Sequence, residues 1–362
     1  MRAVRFHGRG DVRLDEIPEP VCGSGQIKSF IFPPLKVKPA FVGICGSDLH
    51  EFIGGPHAVP QKPHPVTGEK LPTTLGHEFS GTIEEIGSEI VDLKVGDLVA
   101  IKPNLGDGTC RRCLMGRANC CDSLGFIGYS GSAGGLSDYV VVDRKHVIRL
   151  PESIPLDIGA LVEPLSVAWH AVSRSPLQED GIALVVGAGP IGLAVVQVLK
   201  AQGINKIIVV EVSQKRREFA LAFGGSHILN PLEVDVVTEI RDITGDFRGA
   251  SVAFECSGVQ AGLDTAMSGI RVRGTTVILS LWEKKPVIDA FAIVLGEKHV
   301  AGAVVYDDED FEAVIEAIAS GQIAPRSMIT SKIQMDEIVK KGFEALINEK
   351  DKHVKILVDI SA

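Results

Sequence analysis

No apolar run in this 362-residue chain reads as an unbroken membrane helix. The nearest, Ile182 to Leu199, is interrupted by Gly187, Gly189, Pro190 and Gly192, which predicts a strand, a turn and a helix instead. A secretory leader is not apparent either: Met1 to Arg13 alternates apolar and charged residues without an apolar centre, so a first strand and a cytoplasmic location are expected. Repeats and low-complexity tracts are lacking, and 45% hydrophobic with 23% charged residues excludes the disordered and fibrous classes. Positive charge is in deficit, with 37 Lys and Arg against 46 Asp and Glu and a net charge of -9. That balance argues against nucleic acid and against an anionic membrane as partners. An even disulfide framework is missing too, because the seven cysteines are odd in number and Cys110, Cys113, Cys120 and Cys121 crowd together. In a cytoplasmic chain such a cluster suggests metal before disulfide.

The length suggests two domains, at a prior of about 150 residues each. Residues 1–155 carry short alternating or β-branched runs between Gly and Pro (Ala3 to Phe6, Val37 to Val42, Gly81 to Ile86, Asp97 to Ile101, Asp138 to Val142), which predict an irregular β-rich domain. Over 156–304 the period changes. Buried-type strands (Ile182 to Val186, Lys206 to Val210, Ser251 to Glu255, Thr275 to Ser280) alternate with helical stretches (Ile191 to Gln202, Gln214 to Phe223), as in an α/β parallel sheet with crossover helices. Residues 305–362 hold two amphipathic stretches, Glu309 to Ala319 and Met335 to Asn348, and a last strand, Lys355 to Val358; these are expected to complete the first domain.

Gly187-Ala188-Gly189-Pro190-Ile191-Gly192 follows a predicted strand and opens a predicted helix. The first glycine permits a tight turn, the second a close approach of backbone to pyrophosphate, and the third close packing of helix on strand. Glu211 ends the next strand about 20 residues on, where a carboxylate accepts from the adenosine ribose and repels a 2′-phosphate; NAD is therefore expected over NADP. Arg216, one turn into the following helix, is placed to cover the adenine or ribose.

Cys45, in Gly43-Ile44-Cys45-Gly46-Ser47-Asp48-Leu49-His50, and His77, in Gly76-His77-Glu78, are ligand types for a catalytic zinc with one open position. Glu163 and Glu78 both offer a carboxylate. Zinc with Cys45, neutral His77 and one carboxylate is neutral, so one of the two is expected to ligate and the other to bond the zinc water or exchange with it. A second group, Asp107-x2-Cys110-x2-Cys113-x7-Cys121 on a Gly-rich loop, supplies three thiolates at a spacing that can close a tetrahedral structural zinc site if a fourth ligand is found.

These segments, with Leu75 to Gly81, Val95 to Ala100, Glu163 to His170 and Phe254 to Gly258, make the chain resemble the zinc-dependent medium-chain dehydrogenase/reductase superfamily over nearly its full length. His64 to Glu69, Gly134 to Tyr139 and Met328 to Thr330 look most like its 2,3-butanediol dehydrogenases, with sorbitol and threonine dehydrogenases as relatives. The resemblance implies a GroES-like catalytic domain, a Rossmann doubly wound NAD-binding domain and a homodimer or homotetramer. It also implies hydride exchange between NAD and a small alcohol or ketone, here a vicinal diol or acyloin, or alternatively a polyol. By the same comparison Cys45 and His77 match catalytic zinc ligands, with Glu163 the third in the butanediol group and Glu78 in the sorbitol group, while Ser47 and His50 match the proton relay. A catalytically silent homologue is the alternative of a different class; the retained Cys45, His77, Glu163, Ser47 and His50 speak against it.

Two departures from the family pattern stand out. Asp107 occupies the place of the first of four structural cysteines. Ser29 to Lys36 looks like an insertion, and Pro33 and Pro34 predict a surface excursion with the strand resuming near Val37. Cys256 reads as a core thiol and Cys120 as a bystander.

Overall fold

The computed structural model describes residues 1–22, 33–131 and 133–361. The chain divides into two compact units, Met1–Glu163 with Asp307–Ala319 and Arg326–Ala362, and Pro164–Tyr306 with Ser320–Pro325.

In the first unit the N-terminal segment is not one strand. It turns back as an antiparallel hairpin, Arg2–Gly8 on Asp11–Glu16, because Gly10 takes a positive φ of 69° and its N–H is held by the Phe52 carbonyl at 2.8 Å. The main sheet runs Val147–Arg149, Leu98–Ile101, Glu78–Ile86, Pro34–Gly43, Lys355–Asp359 and Ile329–Gln334, with Val140–Asp143 also paired to Pro34–Gly43. Its two C-terminal strands thus join the N-terminal ones in one sheet. Val37, Val42, Phe79, Ile83, Val99, Val140, Ile356 and Val358 fill the core, as alternation on a half-buried sheet requires.

The central strand begins at Pro34, three residues before the expected point. A proline at the first position of a strand gives up no ladder donor, and the Pro34 carbonyl accepts from Gly87 N–H at 3.1 Å. Lys36 then pairs in register with Glu85 and is buried with its ammonium on the Glu85 and Glu19 carboxylates. Pro34 to Lys36 are therefore strand, not excursion, while Ser29 to Phe32 lie outside the described residues.

The second unit has a parallel sheet in the order His227–Leu229, Lys206–Val210, Ile182–Val186, Ala250–Glu255, Ile270–Ile278 and His299–Gly302. Every adjacent pair is parallel. Numbered along the unit this is 3-2-1-4-5-6, the doubly wound dinucleotide-binding order. Among the described residues no helix is long and apolar enough to cross a membrane.

Candidate functional site

Sheet register assembles the first site. Gly43 pairs with Glu78 on one side and with Leu357 on the other. Cys45, two residues past Gly43, and His77, one residue before Glu78, therefore emerge at the same edge, with Lys355 at the start of the neighbouring strand. Gly76 makes the entry to the Glu78 strand feasible: its φ is 94°, and a Cβ there would lie 2.8 Å from Val42 and Leu136 atoms. One ligand atom from each of Cys45, His77 and Glu78 lies within 4.8 Å of the others.

Cys45 precedes the helix Gly46–Gly54, and its N–H donates to Asp48 Oδ2 at 2.8 Å. The other Asp48 oxygen lies 3.8 Å from His77 Nδ1. Burial disfavours an imidazolium at His77, yet the Asp48 carboxylate, the Cys45 sulfur and Glu163 outweigh it and raise its pKa to about 10. Such a soft, anionic donor set would bind a divalent cation in place of that proton, so the residues fit zinc chemistry.

Glu78 is already engaged. Lys355 Nζ donates to its two oxygens at 2.8 and 2.6 Å and to the Ile44 carbonyl at 3.2 Å, and both side chains are almost wholly buried. Glu163 is buried as well. Ser47 and His50 lie one turn apart on the Gly46–Gly54 helix, a spacing that puts them on one face, and both are half-buried. On the same helix the buried Glu51 carboxylate accepts from the N–H groups of His57, Ala58 and Val59 at 2.9, 2.5 and 3.3 Å, which fixes the loop that follows.

The second cluster also assembles. Ligand atoms of Asp107, Cys110, Cys113 and Cys121 lie within 4.8 Å of one another, whereas Cys120 is outside the group. N–H groups of Cys110 and Thr109 donate to Asp107 Oδ1 at 2.8 Å each and hold its carboxyl well below the usual range. Burial pushes the Cys113 thiol up to about 12, while backbone donors lower that of Cys110. A preoriented carboxylate beside three sulfurs suits a tetrahedral zinc.

In the second unit Gly187 has a φ of 92°, and a Cβ there would meet Ser257 at 3.0 Å. At Gly192 a Cβ would come 1.9 Å from the Gly187 carbonyl oxygen, so helix Pro190–Ala201 packs directly on the turn. Gly189 differs, having only Arg216 Nη1, at 3.9 Å, near its missing side chain. That open cradle at a helix N-terminus fits a dinucleotide pyrophosphate. Glu211 is buried and accepts from Ala188 N–H at 2.7 Å and Ser213 N–H at 2.8 Å, which joins it to the glycine turn. Ile191 begins the helix behind Pro190.

Comparison with known proteins agrees with this geometry. Residues 34–152 match the family model described as alcohol dehydrogenase GroES-like domain, and residues 190–320 match that of zinc-binding dehydrogenase. The chain is 42% identical to an (R,R)-butanediol dehydrogenase of Bacillus subtilis and 39% identical to one of Neisseria gonorrhoeae, each over 99% of both chains. A crystal structure of 2R,3R-butanediol dehydrogenase from Bacillus subtilis superposes with a TM-score of 0.91 at 40% identity, covering 99% of each chain. The chain belongs to the zinc-dependent medium-chain dehydrogenase/reductase family.

It is thus a zinc-dependent alcohol dehydrogenase in class, related to the butanediol dehydrogenases, and membership brings zinc and NAD as its reagents. For such a dehydrogenase the polar residues around the ligands matter as much as the ligands. Sequence reasoning singled out none of Asp48, Glu51, Tyr129, Lys355 and Glu255. Asp48 lies inside a quoted motif, where a carboxylate three residues into a helix signals an N-terminal cap. Glu255 is fully buried and accepts from Ser257 N–H at 2.8 Å, Gly258 N–H at 3.0 Å and the Ser280 hydroxyl, bracing the turn against Gly187. Cys256, beside it, has its thiol pKa raised by burial and suits a core role.

Proposed function

We propose that this enzyme oxidises a vicinal secondary diol such as 2,3-butanediol to the acyloin, and runs the reverse reduction, with NAD. The observation that carries the reading is the convergence of Cys45 and His77 at one sheet edge beside a Glu78 whose oxygens are both taken by Lys355. On this reading Glu163 is the third ligand, the arrangement expected of a butanediol-type site, which the engagement of Glu78 by Lys355 supports; a polyol-type site would use Glu78 instead. The resemblance in sequence to (R,R)-butanediol dehydrogenases supports the substrate class.

Zinc held by Cys45, His77 and Glu163 would polarise the alcohol oxygen, and NAD held by the Gly187 to Gly192 turn, Glu211 and Arg216 would accept the hydride. Ser47 would take the alcohol proton through its hydroxyl and, by way of the cofactor ribose, His50 would pass it to solvent. Asp107, Cys110, Cys113 and Cys121 hold a second, structural zinc. A cytoplasmic location suits seven cysteines that are all free. A homodimer or homotetramer is supported by the edge strand His299–Gly302 and the preceding helix, where Phe291, Val294 and Leu295 are exposed.

The test assays a panel of diols and polyols with NAD on metal-quantified protein. Highest kcat/KM for a vicinal diol, with Glu163→Ala more damaging than Glu78→Gln, is the expected result. Preference for sorbitol or xylitol with the reverse order would overturn it.

A further inference from the structure

Three buried polar atoms without a hydrogen-bond partner lie beside Cys45: His77 Nδ1, Asp48 Oδ1 and the hydroxyl of Tyr129. The first two are 3.8 Å apart, and the Tyr129 ring lies against the His77 ring with centroids 4.9 Å apart and planes inclined at 33°. Tyr129 is 4% exposed. The Asp48 carboxylate and the Tyr129 ring thus lie on the same buried His77 side chain, each residue with an unmet hydrogen-bonding need. An orphaned buried group costs about 1–3 kcal/mol, and three together can satisfy one another by small rotations. A phenol is protonated at neutral pH, which makes it a donor toward the carboxylate; an imidazole with one nitrogen on a metal keeps an N–H on the other.

We propose that Tyr129 is a positioning residue for the metal site: its hydroxyl donates to Asp48, Asp48 accepts from His77 Nδ1–H, and the imidazole is thereby held in one tautomer and one orientation. The proposal rests on reading Cys45 and His77 as zinc ligands. Tyr129 is not itself a ligand, so loss of its hydroxyl should weaken zinc binding without abolishing it. Phe126, edge-on to Tyr129 at 6.5 Å, shares its packing but offers no hydroxyl.

The experiment measures zinc affinity by competition with a chromophoric chelator, without NAD or alcohol, the zinc of this site being the fraction absent from Cys45→Ala. Tyr129→Phe should weaken that zinc about tenfold, the lower end of what loss of an outer-shell partner does, and Phe126→Leu should leave it unchanged. In an Asp48→Asn background, Tyr129→Phe should add less than about a twofold effect, since the pathway is already cut. Wild-type affinity in Tyr129→Phe, or independent effects of Tyr129→Phe and Asp48→Asn, would overturn the proposal while leaving the ligand reading intact. Wild-type zinc content in Cys45→Ala would overturn both.

Discussion

Replacing Lys355 with methionine isolates the largest electrostatic commitment in the first unit. The ammonium and the Glu78 carboxylate have side-chain exposures of only 2% and 1%, and Glu78 touches Lys355 through both oxygens. Burial opposes a charged Lys355, yet Glu78 and then Cys45 raise its pKa, which favours the ammonium. Methionine keeps the length and apolar stem but strands the carboxylate beside Gly43, where a Cβ would already sit 2.2 Å from Glu78 Oε2. Breaking a buried pair by removing one partner costs about 3–5 kcal/mol. At roughly 2–4 °C per kcal/mol for a unit of this size, Tm should fall by about 6–20 °C. Calorimetry of the zinc-loaded enzyme reads this directly, and Glu78→Gln with Lys355→Met should recover most of the loss, because a neutral pair carries no stranded charge. A fall of under about 2 °C, or a double variant no more stable than the single one, would refute the reasoning.

Asp107→Ala should lower zinc content and stability together and Asp107→Cys should raise both, as metal analysis alongside thermal unfolding would reveal; content unchanged by either substitution would count against the second site. Because the Glu211 carboxylate would stand against a 2′-phosphate as a like charge, kcat/KM should favour NAD over NADP by at least about tenfold, and Glu211→Gln should narrow the ratio. His146 is buried with Nδ1 on the Lys102 carbonyl at 2.9 Å, and burial, then the charges of Lys145 and Lys102, lower its pKa to about 3. Its unfolded form takes up a proton near pH 6.5 that the folded form refuses, so stability should fall as pH drops from about 6.5 toward 3; His146→Gln should flatten that acid limb in chemical denaturation, and an unchanged limb would show that other groups control it.

The second unit was legible from sequence because a parallel strand buried on both faces reads as a continuous apolar run. Ile182–Val186 and Lys206–Val210 have the bounds that the runs imply, and the glycine turn falls between strand and helix. The N-terminal hairpin was not legible, since alternation continues on both sides of Arg9 and Gly10 and only the positive φ of Gly10 divides it. Proline marked the start of the central strand three residues late because its missing N–H was weighed without the free carbonyl that Gly87 uses. Ligand types at Cys45 and His77 were readable from local motifs. Their support was not: Lys355 lies 277 residues from Glu78 in the chain, and nothing local to Tyr129 announces that its ring lies against His77.

Charge balance links that support to the chemistry. Asp48, Glu78 and Glu163 are buried near Cys45 and His77, and buried charges persist only when paired. Lys355 takes Glu78 out of the count. On the proposed ligand set, the Cys45 thiolate and Glu163 then neutralise the two charges of zinc, and His77 binds as a neutral donor. A neutral centre stays electrophilic toward an alcohol oxygen, whereas a ligating Glu78 would add negative charge and weaken that pull. Asp48 remains, and on the proposal above its charge would be spread onto the His77 N–H and the Tyr129 hydroxyl as hydrogen bonds to a carboxylate. On the proposed ligand set the distant Lys355 therefore does more than hold two strands together: by occupying Glu78 it would leave Glu163 as the carboxylate for the metal.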